Sequence, residues 1–269
     1  MASFSVVSNI AASNAQSNLR VSQSGLQTSL ARLSSGYRIN QSGDDAAGLA
    51  VANTHRQTIV NLNQGIRNAN DGLSQLQIKD GALSNISTLL DRLETLATQA
   101  ASASNGVDIT KISDEFESVT KEIDREAAVA GLTTDGTAFS VFISTETTTT
   151  NGQVSASLDS VKVADMGITT TTFASATGAQ AALTQIESAL KELSKVQGVV
   201  GTMQNKLQFA ISLAQTQVVN TQAAESRIRD ANIAEESASM TRYNILTQSG
   251  IAALAQANQT TSSVLGLLR

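Results

Sequence analysis

Between Leu183 and Val218 the apolar residues recur in alternating steps of three and four: Leu183, Ile186, Leu190, Leu193, Val200, Leu207, Ile211, Ala214 and Val218, with only Gln197 and Gln204 polar at the expected positions. Such a run commits the chain to a long helix, because only a helix gathers that spacing onto one face. The N-terminal half answers it with Ile59, Leu62, Ile66, Ala69, Leu73 and Leu76 and, after a shift of phase, with Leu83, Ile86, Leu90, Leu93, Ala97 and Ala100. These runs are expected to pack together. A helix over 179–228 would extend roughly 75 Å at 1.5 Å per residue, so the expected molecule is a rod. A shorter helix marked by Ile112, Phe116, Val119 and Ile123 would complete the bundle.

The 269 residues include no proline, where average usage predicts about a dozen. Long helices exclude proline because it removes a hydrogen bond and clashes with the preceding turn. The same absence spares the chain slow X-Pro isomerisation, which would delay any refolding. Aromatic residues are only 3% of the chain and tryptophan is absent, so the core must be built from small aliphatics. With no cysteine there are no disulfides, thiolate metal sites or thiol nucleophiles. The single histidine, His55, rules out a multi-histidine centre; it has no Ser or Cys motif nearby and no metal-ligand partner at helical spacing. A balance of 18 basic to 23 acidic residues leaves no basic stripe for nucleic acid or anionic lipid. No window approaches about 18 uninterrupted apolar residues, and residues 1–9 have neither the charge nor the apolar block of a signal peptide, so neither a membrane span nor Sec-type export is expected.

Both ends carry a weaker version of the heptad pattern. Leu19, Leu26, Leu30, Leu33 and Tyr37 fit one stripe; Ala238, Ile245, Ala252 and Ala255 offer small residues at a matching C-terminal stripe, interrupted by Thr241 and Gln248. Neither would stand alone; the two are expected either to pair in an assembled state and stay frayed in the free monomer, or to close a monomeric bundle as an ordinary antiparallel coiled coil. The centre changes character: 137–144 and 154–161 alternate with period two, predicting a β-hairpin whose connection holds Thr147 to Thr150 and Asn151-Gly152. A second threonine run, Thr169 to Thr172, follows in a loop. Asp44 and Asp45 are adjacent, about 100° apart on a helix and poorly placed to share a proton, so they read as a helix start after Gly43. Asn85-Ile86-Ser87 and Asn258-Gln259-Thr260 match a sugar-acceptor pattern too short to assign a role.

Two terminal blocks are more specific than any periodicity. Leu33-Ser34-Ser35-Gly36-Tyr37-Arg38-Ile39-Asn40 with Asp44-Asp45-Ala46-Ala47-Gly48-Leu49-Ala50, and Ala255-Gln256-Ala257-Asn258 with Val264-Leu265-Gly266-Leu267-Leu268-Arg269, resemble bacterial flagellin. Arg67-Asn68-Ala69-Asn70-Asp71-Gly72 and Glu225-Ser226-Arg227-Ile228-Arg229-Asp230-Ala231 match in the same order, so the resemblance covers roughly 1–135 and 180–269. It implies a mainly α, rod-like bundle with a small β-hairpin: a terminal coiled-coil domain from 1–44 and 229–269, a helical bundle from 45–135 and 179–228, and a hairpin and loop cap from 136–178. It implies further a structural, non-enzymatic subunit without cofactor that polymerises into an extracellular helical filament for swimming. Leu19, Leu26, Leu30, Leu33, Ile245, Ala252, Leu254, Leu265 and Leu268 would then serve terminal self-assembly. The implied partners are other copies, the flagellar type III export apparatus and an export chaperone, and the hook-associated junction and cap proteins. Asp91-Arg92-Leu93-Glu94-Thr95-Leu96-Ala97-Thr98-Gln99 resembles the segment through which many flagellins meet Toll-like receptor 5, with Arg92, Leu96 and Gln99, and Glu122 of the next helix, at matching positions also used for axial contacts. Leu96 lies three residues from Leu93 on an apolar face, which fits a plain core residue equally well. The chain departs from the family at Gln259-Thr260-Thr261-Ser262, where many members have proline, and at Val129-Ala130-Gly131. These departures leave room for the hook-filament junction protein, or for a secreted coiled-coil adhesin or effector.

Overall fold

A computed structural model describes residues 9–102, 109–143, 152–168 and 176–267. Five helices and a two-stranded antiparallel sheet follow one another as α1 (Ile10–Ser35), α2 (Ala46–Ala101), α3 (Ile109–Val129), β1 (Thr137–Phe142), β2 (Gln153–Leu158), α4 (Ala176–Arg229) and α5 (Ile233–Leu267). The mainly α class with one small hairpin is as the sequence predicts. Two compact units form, Met1–Gln57 with Thr221–Arg269 and Thr58–Asn220, and they part within α2 and α4.

The central unit contains nearly all of the closed core. On α4 the fully buried positions are Ala179, Ala182, Ile186, Ala189, Leu193, Val196, Val200, Met203, Leu207 and Ala214, again in steps of three and four. Half of the expected seam is therefore kept and half is displaced by one residue. Val196 and Met203 take the places where Gln197 and Gln204 interrupt the sequence pattern, while Leu183, Leu190, Ile211 and Val218 are half-buried on its flank. On α2 the seam runs without interruption through Leu62, Gly65, Ala69, Gly72, Leu76, Lys79, Leu83, Ile86, Leu90, Leu93, Ala97 and Ala100, all buried except the half-buried Lys79. The expected shift of phase is absent. It arises only when Ile66 and Leu73 are chosen instead of two glycines and a lysine, whose hydrophobicity gives no hint of the seam.

Those glycines seat the hairpin. A Cβ on Gly65 would stand 2.0 Å from the Ile143 carbonyl oxygen, and one on Gly72 would stand 2.6 Å from Val141 Cγ2. Asn68, between them on the same face, donates to the Phe142 carbonyl at 3.2 Å. The strands pair from Thr137 with Leu158 to Phe142 with Gln153. Phe139, Val141 and Leu158 face inward and are buried, while Ala138, Ser140, Ser155 and Ser157 face out. The connection at 144–151 and the threonine run at 169–172 lie outside the described residues.

α3 adds Ile112, Phe116, Ile123 and Ala127 to the same core. Its C-terminus closes at Gly131, which has a φ of +65°, with Leu132 N–H donating back to the Ala127 carbonyl at 2.9 Å. Lys79 Nζ donates to the Ala130 carbonyl. An ammonium is thus held against the negative end of α3, and its partial burial lowers the Lys79 pKa. The following loop is fixed to this end: Val161 N–H reaches the Leu132 carbonyl at 3.1 Å, Ser160 N–H reaches Asp135 at 2.8 Å and Val163 N–H reaches Asp124 at 2.9 Å.

Candidate functional site in the terminal helix pair

In the other unit α1 and α5 run antiparallel. Asn9 caps α1 by accepting from Ala12 N–H at 3.0 Å, and its amide donates to the Ala257 carbonyl at 2.9 Å. Further along, Leu19 packs on Gly250, whose Cβ would lie 3.2 Å from Leu19 Cδ1, and the Tyr243 ring covers Gly25, whose Cβ would lie 2.6 Å from it. Arg32 then stands 3.6 Å from Glu236 and 3.9 Å from Asp44. Small residues let the two backbones approach, so this seam is thin.

The α1 seam is Ala12, Ala15, Leu19, Ser22, Leu26, Ser29 and Leu33, and the α5 seam is Glu236, Met240, Tyr243, Thr247, Gly250, Leu254 and Ala257, all at least half-buried. Leu19, Leu26, Leu33 and Leu254 sit where the sequence puts them. Leu30 does not: it is 47% exposed, and Ser29, at 3%, holds the seam position instead. Counting in steps of three and four from Leu26 leads to Ser29, so hydrophobicity alone selects the wrong neighbour. The C-terminal stripe is likewise displaced. Ala238, Ile245, Ala252 and Ala255 are exposed, with Ile245 at 59%, and they lie on faces of α5 turned away from α1. The Leu265 side chain and the whole of Leu268 lie outside the described residues.

The loops that join this pair to α2 and α4 explain the terminal motifs. Gly36, at a φ of +75°, ends α1, and the chain then bridges across: Arg38 N–H donates to the Arg229 carbonyl at 2.7 Å and Ala231 N–H to the Gly36 carbonyl at 2.9 Å. Arg38 Nη2 reaches the Ile228 carbonyl at 2.8 Å, and the Arg229 guanidinium lies 4.1 Å from the centre of the Tyr37 ring, a cation–π contact. The two aspartates have separate structural tasks. Asp44 accepts from the N–H groups of Asn40 and Gln41, both at 3.0 Å, whereas Asp45 caps α2 by accepting from Gly48 N–H at 2.8 Å. The Gln41 and Asn40 amides, assisted by Arg32, hold the Asp44 carboxyl below its ordinary value of 3.8. Its contribution to stability is thus complete above pH 3.8 and is lost as pH falls through the depressed folded value. Asp44→Ala is expected to speed hydrogen exchange at Asn40 and Gln41 by about tenfold at pH 7, and to abolish that acid dependence.

The second set of expected contact residues divides. Arg92, exposed on α2, pairs with Glu115 of α3 at 2.5 Å, and Glu122 pairs with Arg125 at 2.6 Å. The Arg125 partnership lowers the Glu122 pKa. Gln99 is exposed. Leu96 is 1% exposed and belongs to the closed core, the core position that its spacing from Leu93 allows. The Arg92–Glu115 pair places α3 against this flank of α2, so the leucine one turn later is covered. His55 is half-buried on α2. Among the described residues no three His, Asp or Glu side chains gather as a metal site, and no helix is long and apolar enough to cross a membrane.

Comparison with known proteins agrees with this geometry. The family model of the bacterial flagellin N-terminal helical region matches residues 6–132, and that of the C-terminal helical region matches 183–268. The chain is 38% identical to a flagellin of Halalkalibacterium halodurans over 97% of its own length and 98% of the relative's. It is 34% identical to flagellin FlaB1 of Treponema pallidum and 33% identical to a flagellin of Bacillus subtilis, each over 97% of this chain and 98% of the relative.

Proposed function

The chain belongs to the bacterial flagellin family and is a structural subunit of the flagellar filament, and from that premise we propose that its terminal helix pair is the polymerisation element, completed only when neighbouring copies cover it. One observation carries this reading. In the terminal unit the only fully buried apolar side chains among the described residues are Ile39 and Ala52, whereas Ile10, Val21, Leu30, Ile233, Ile245, Leu246 and Ile251 stay between 45% and 67% exposed. α5 keeps apolar residues on every face and carries only three charges, Glu235, Glu236 and Arg242, over 35 residues. A helix of that kind belongs inside an assembly, and α1 covers only one of its sides. Exposed apolar residues on several different faces of one element allow the heterologous contacts that an open helical polymer requires.

In the same reading the subunit is extracellular, is delivered unfolded by the flagellar export apparatus with an export chaperone, and meets hook-associated junction and cap proteins at the filament ends. It performs no catalytic step. Recognition by Toll-like receptor 5 would fall to the accessible Arg92, Gln99 and Glu122, without Leu96. The test is negative-stain electron microscopy of purified chain with and without short filament seeds, beside a variant lacking residues 229–269. Long, uniform, seed-dependent filaments from the full chain alone are expected. Monomers or short caps from the full chain, with helicity intact by circular dichroism, would replace this reading with a junction protein or a monomeric binder.

A further inference from the structure

The central unit carries an exposed apolar knob on α4 and a shallow open groove between α2 and β1. Lys206, Phe209 and Leu213 recur on α4 at steps of three and four and share one face. Leu207 is sealed in the core. At 3.6 residues per turn Phe209 is turned about 200° from Leu207, straight away from that core. It is 76% exposed, the most exposed large apolar side chain among the described residues, and Leu213 is 60% exposed.

The groove, about 440 Å³, lies between α2 and β1. Asn68, Asp71, Gly72 and Gln75 line it on one side and residues 138–142 on the other. Phe139 and Val141 are buried beneath it, and Phe142, half exposed, is its accessible apolar side chain. Gly72 is also where Leu207 approaches α2, at 3.6 Å from the position of a Cβ. Knob and groove therefore lie at one level of the unit. Neither Lys206 nor Asp71 has an ion-pair partner in its own chain among the described residues.

We propose that Phe209 of one copy inserts into the α2/β1 groove of a second copy, with Lys206 of the first paired to Asp71 of the second. This contact rests on the filament reading and deepens it by naming a second, non-terminal interface. The occupant is another copy because the open groove sets the half-exposed Phe142 ring beside the Asp71 carboxylate, and α4 offers the matching pair, an aromatic with an ammonium one turn away. At about 440 Å³ the open groove is large enough for a phenyl ring. Because the contact joins two different surfaces, each copy donates once and accepts once, so the chain of contacts does not close on a dimer. Since knob and groove share a level, it joins copies side by side. The ion pair contributes register more than affinity.

The chain has no cysteine, so introduced thiols report the contact cleanly. Filaments grown from a Lys206→Cys/Asp71→Cys chain and then oxidised are expected to give a ladder of disulfide-linked oligomers, whereas either single variant stops at monomers or dimers. In parallel, Lys206→Asp and Asp71→Lys are each expected to slow seeded elongation about tenfold, and the combined variant to recover to within about twofold of the native rate. A native chain that elongates seeds, together with double-thiol filaments without a ladder or a charge swap no better than its singles, overturns the groove contact alone. A native chain that does not elongate seeds overturns the filament reading itself.

Discussion

Replacing Gly65 with alanine is expected to destabilise the central unit by about 3 kcal/mol, the upper range for overpacking a closed core. The added methyl would stand 2.0 Å from the Ile143 carbonyl oxygen and 2.8 Å from its Cα. These are backbone atoms just past the end of β1, so no rotamer change relieves the overlap; either the hairpin edge lifts from α2 or the helix moves. Lifting it would break the Asn68 to Phe142 hydrogen bond and expose Val141 and Ile143, both now buried. Gly81→Ala, on the same helix, is the matched comparison. Nothing lies within 4 Å of its Cβ position, and the site is an exposed helix interior. Removing the entropic cost of glycine there is expected to stabilise the chain by about 0.8 kcal/mol. Urea denaturation followed by far-ultraviolet circular dichroism separates the two, and a Gly65→Ala chain within 0.5 kcal/mol of native would show that the hairpin does not depend on this close approach.

Gly65 also shows where sequence periodicity reaches its limit. Heptad spacing announces both long helices correctly, because thirty or more residues of alternating steps leave little room for another fold. It does not fix which of two adjacent heptads forms the seam. In a bundle of several layers the buried stripe is wide, and apolar residues on its flank, such as Ile66, Leu73, Leu183 and Leu190, are as hydrophobic as those at its centre. Hydrophobicity alone therefore passes over Gly65 and Gly72, whose burial reflects the closeness of a strand rather than any apolar side chain. It also passes over Ser29 for Leu30. The resolving signal was present at two positions: Gln197 and Gln204 mark one α4 heptad as the weaker, and Val196 and Met203 complete the other without a break.

The terminal motifs were legible as a family signature but not as structure. Gly36, Arg38, Arg229 and Ala231 act through backbone pairing between segments some 190 residues apart, which no local spacing reveals. Asp44 and Asp45 are the opposite case. Their local pattern of a turn followed by a helix start contains the whole explanation, and the hydrogen bonds they accept follow from it.

The exposed and seam faces of α5 predict different failures from two substitutions that the sequence alone treats as equivalent. Leu254 lies in the seam against α1; Ile245 is 59% exposed on a face that nothing in its own copy covers. Leu254→Asp puts a charge between α1 and α5 and is expected to unzip the pair before any neighbour arrives. Ile245→Asp leaves the pair intact and is expected to raise the critical concentration for seeded growth roughly a hundredfold, because assembly would then bury an unpaired carboxylate at a cost of about 3 kcal/mol. A staple distinguishes the two. Leu19 packs on Gly250, so the antiparallel register places Ser22 opposite Thr247, and a disulfide through Ser22→Cys and Thr247→Cys holds α1 to α5 within one copy. The staple is expected to restore much of the growth lost in Leu254→Asp and none of that lost in Ile245→Asp, since only the first defect lies inside the subunit. Native growth by Ile245→Asp, or equal rescue of both variants, would mean that the outward face of α5 is not where copies meet.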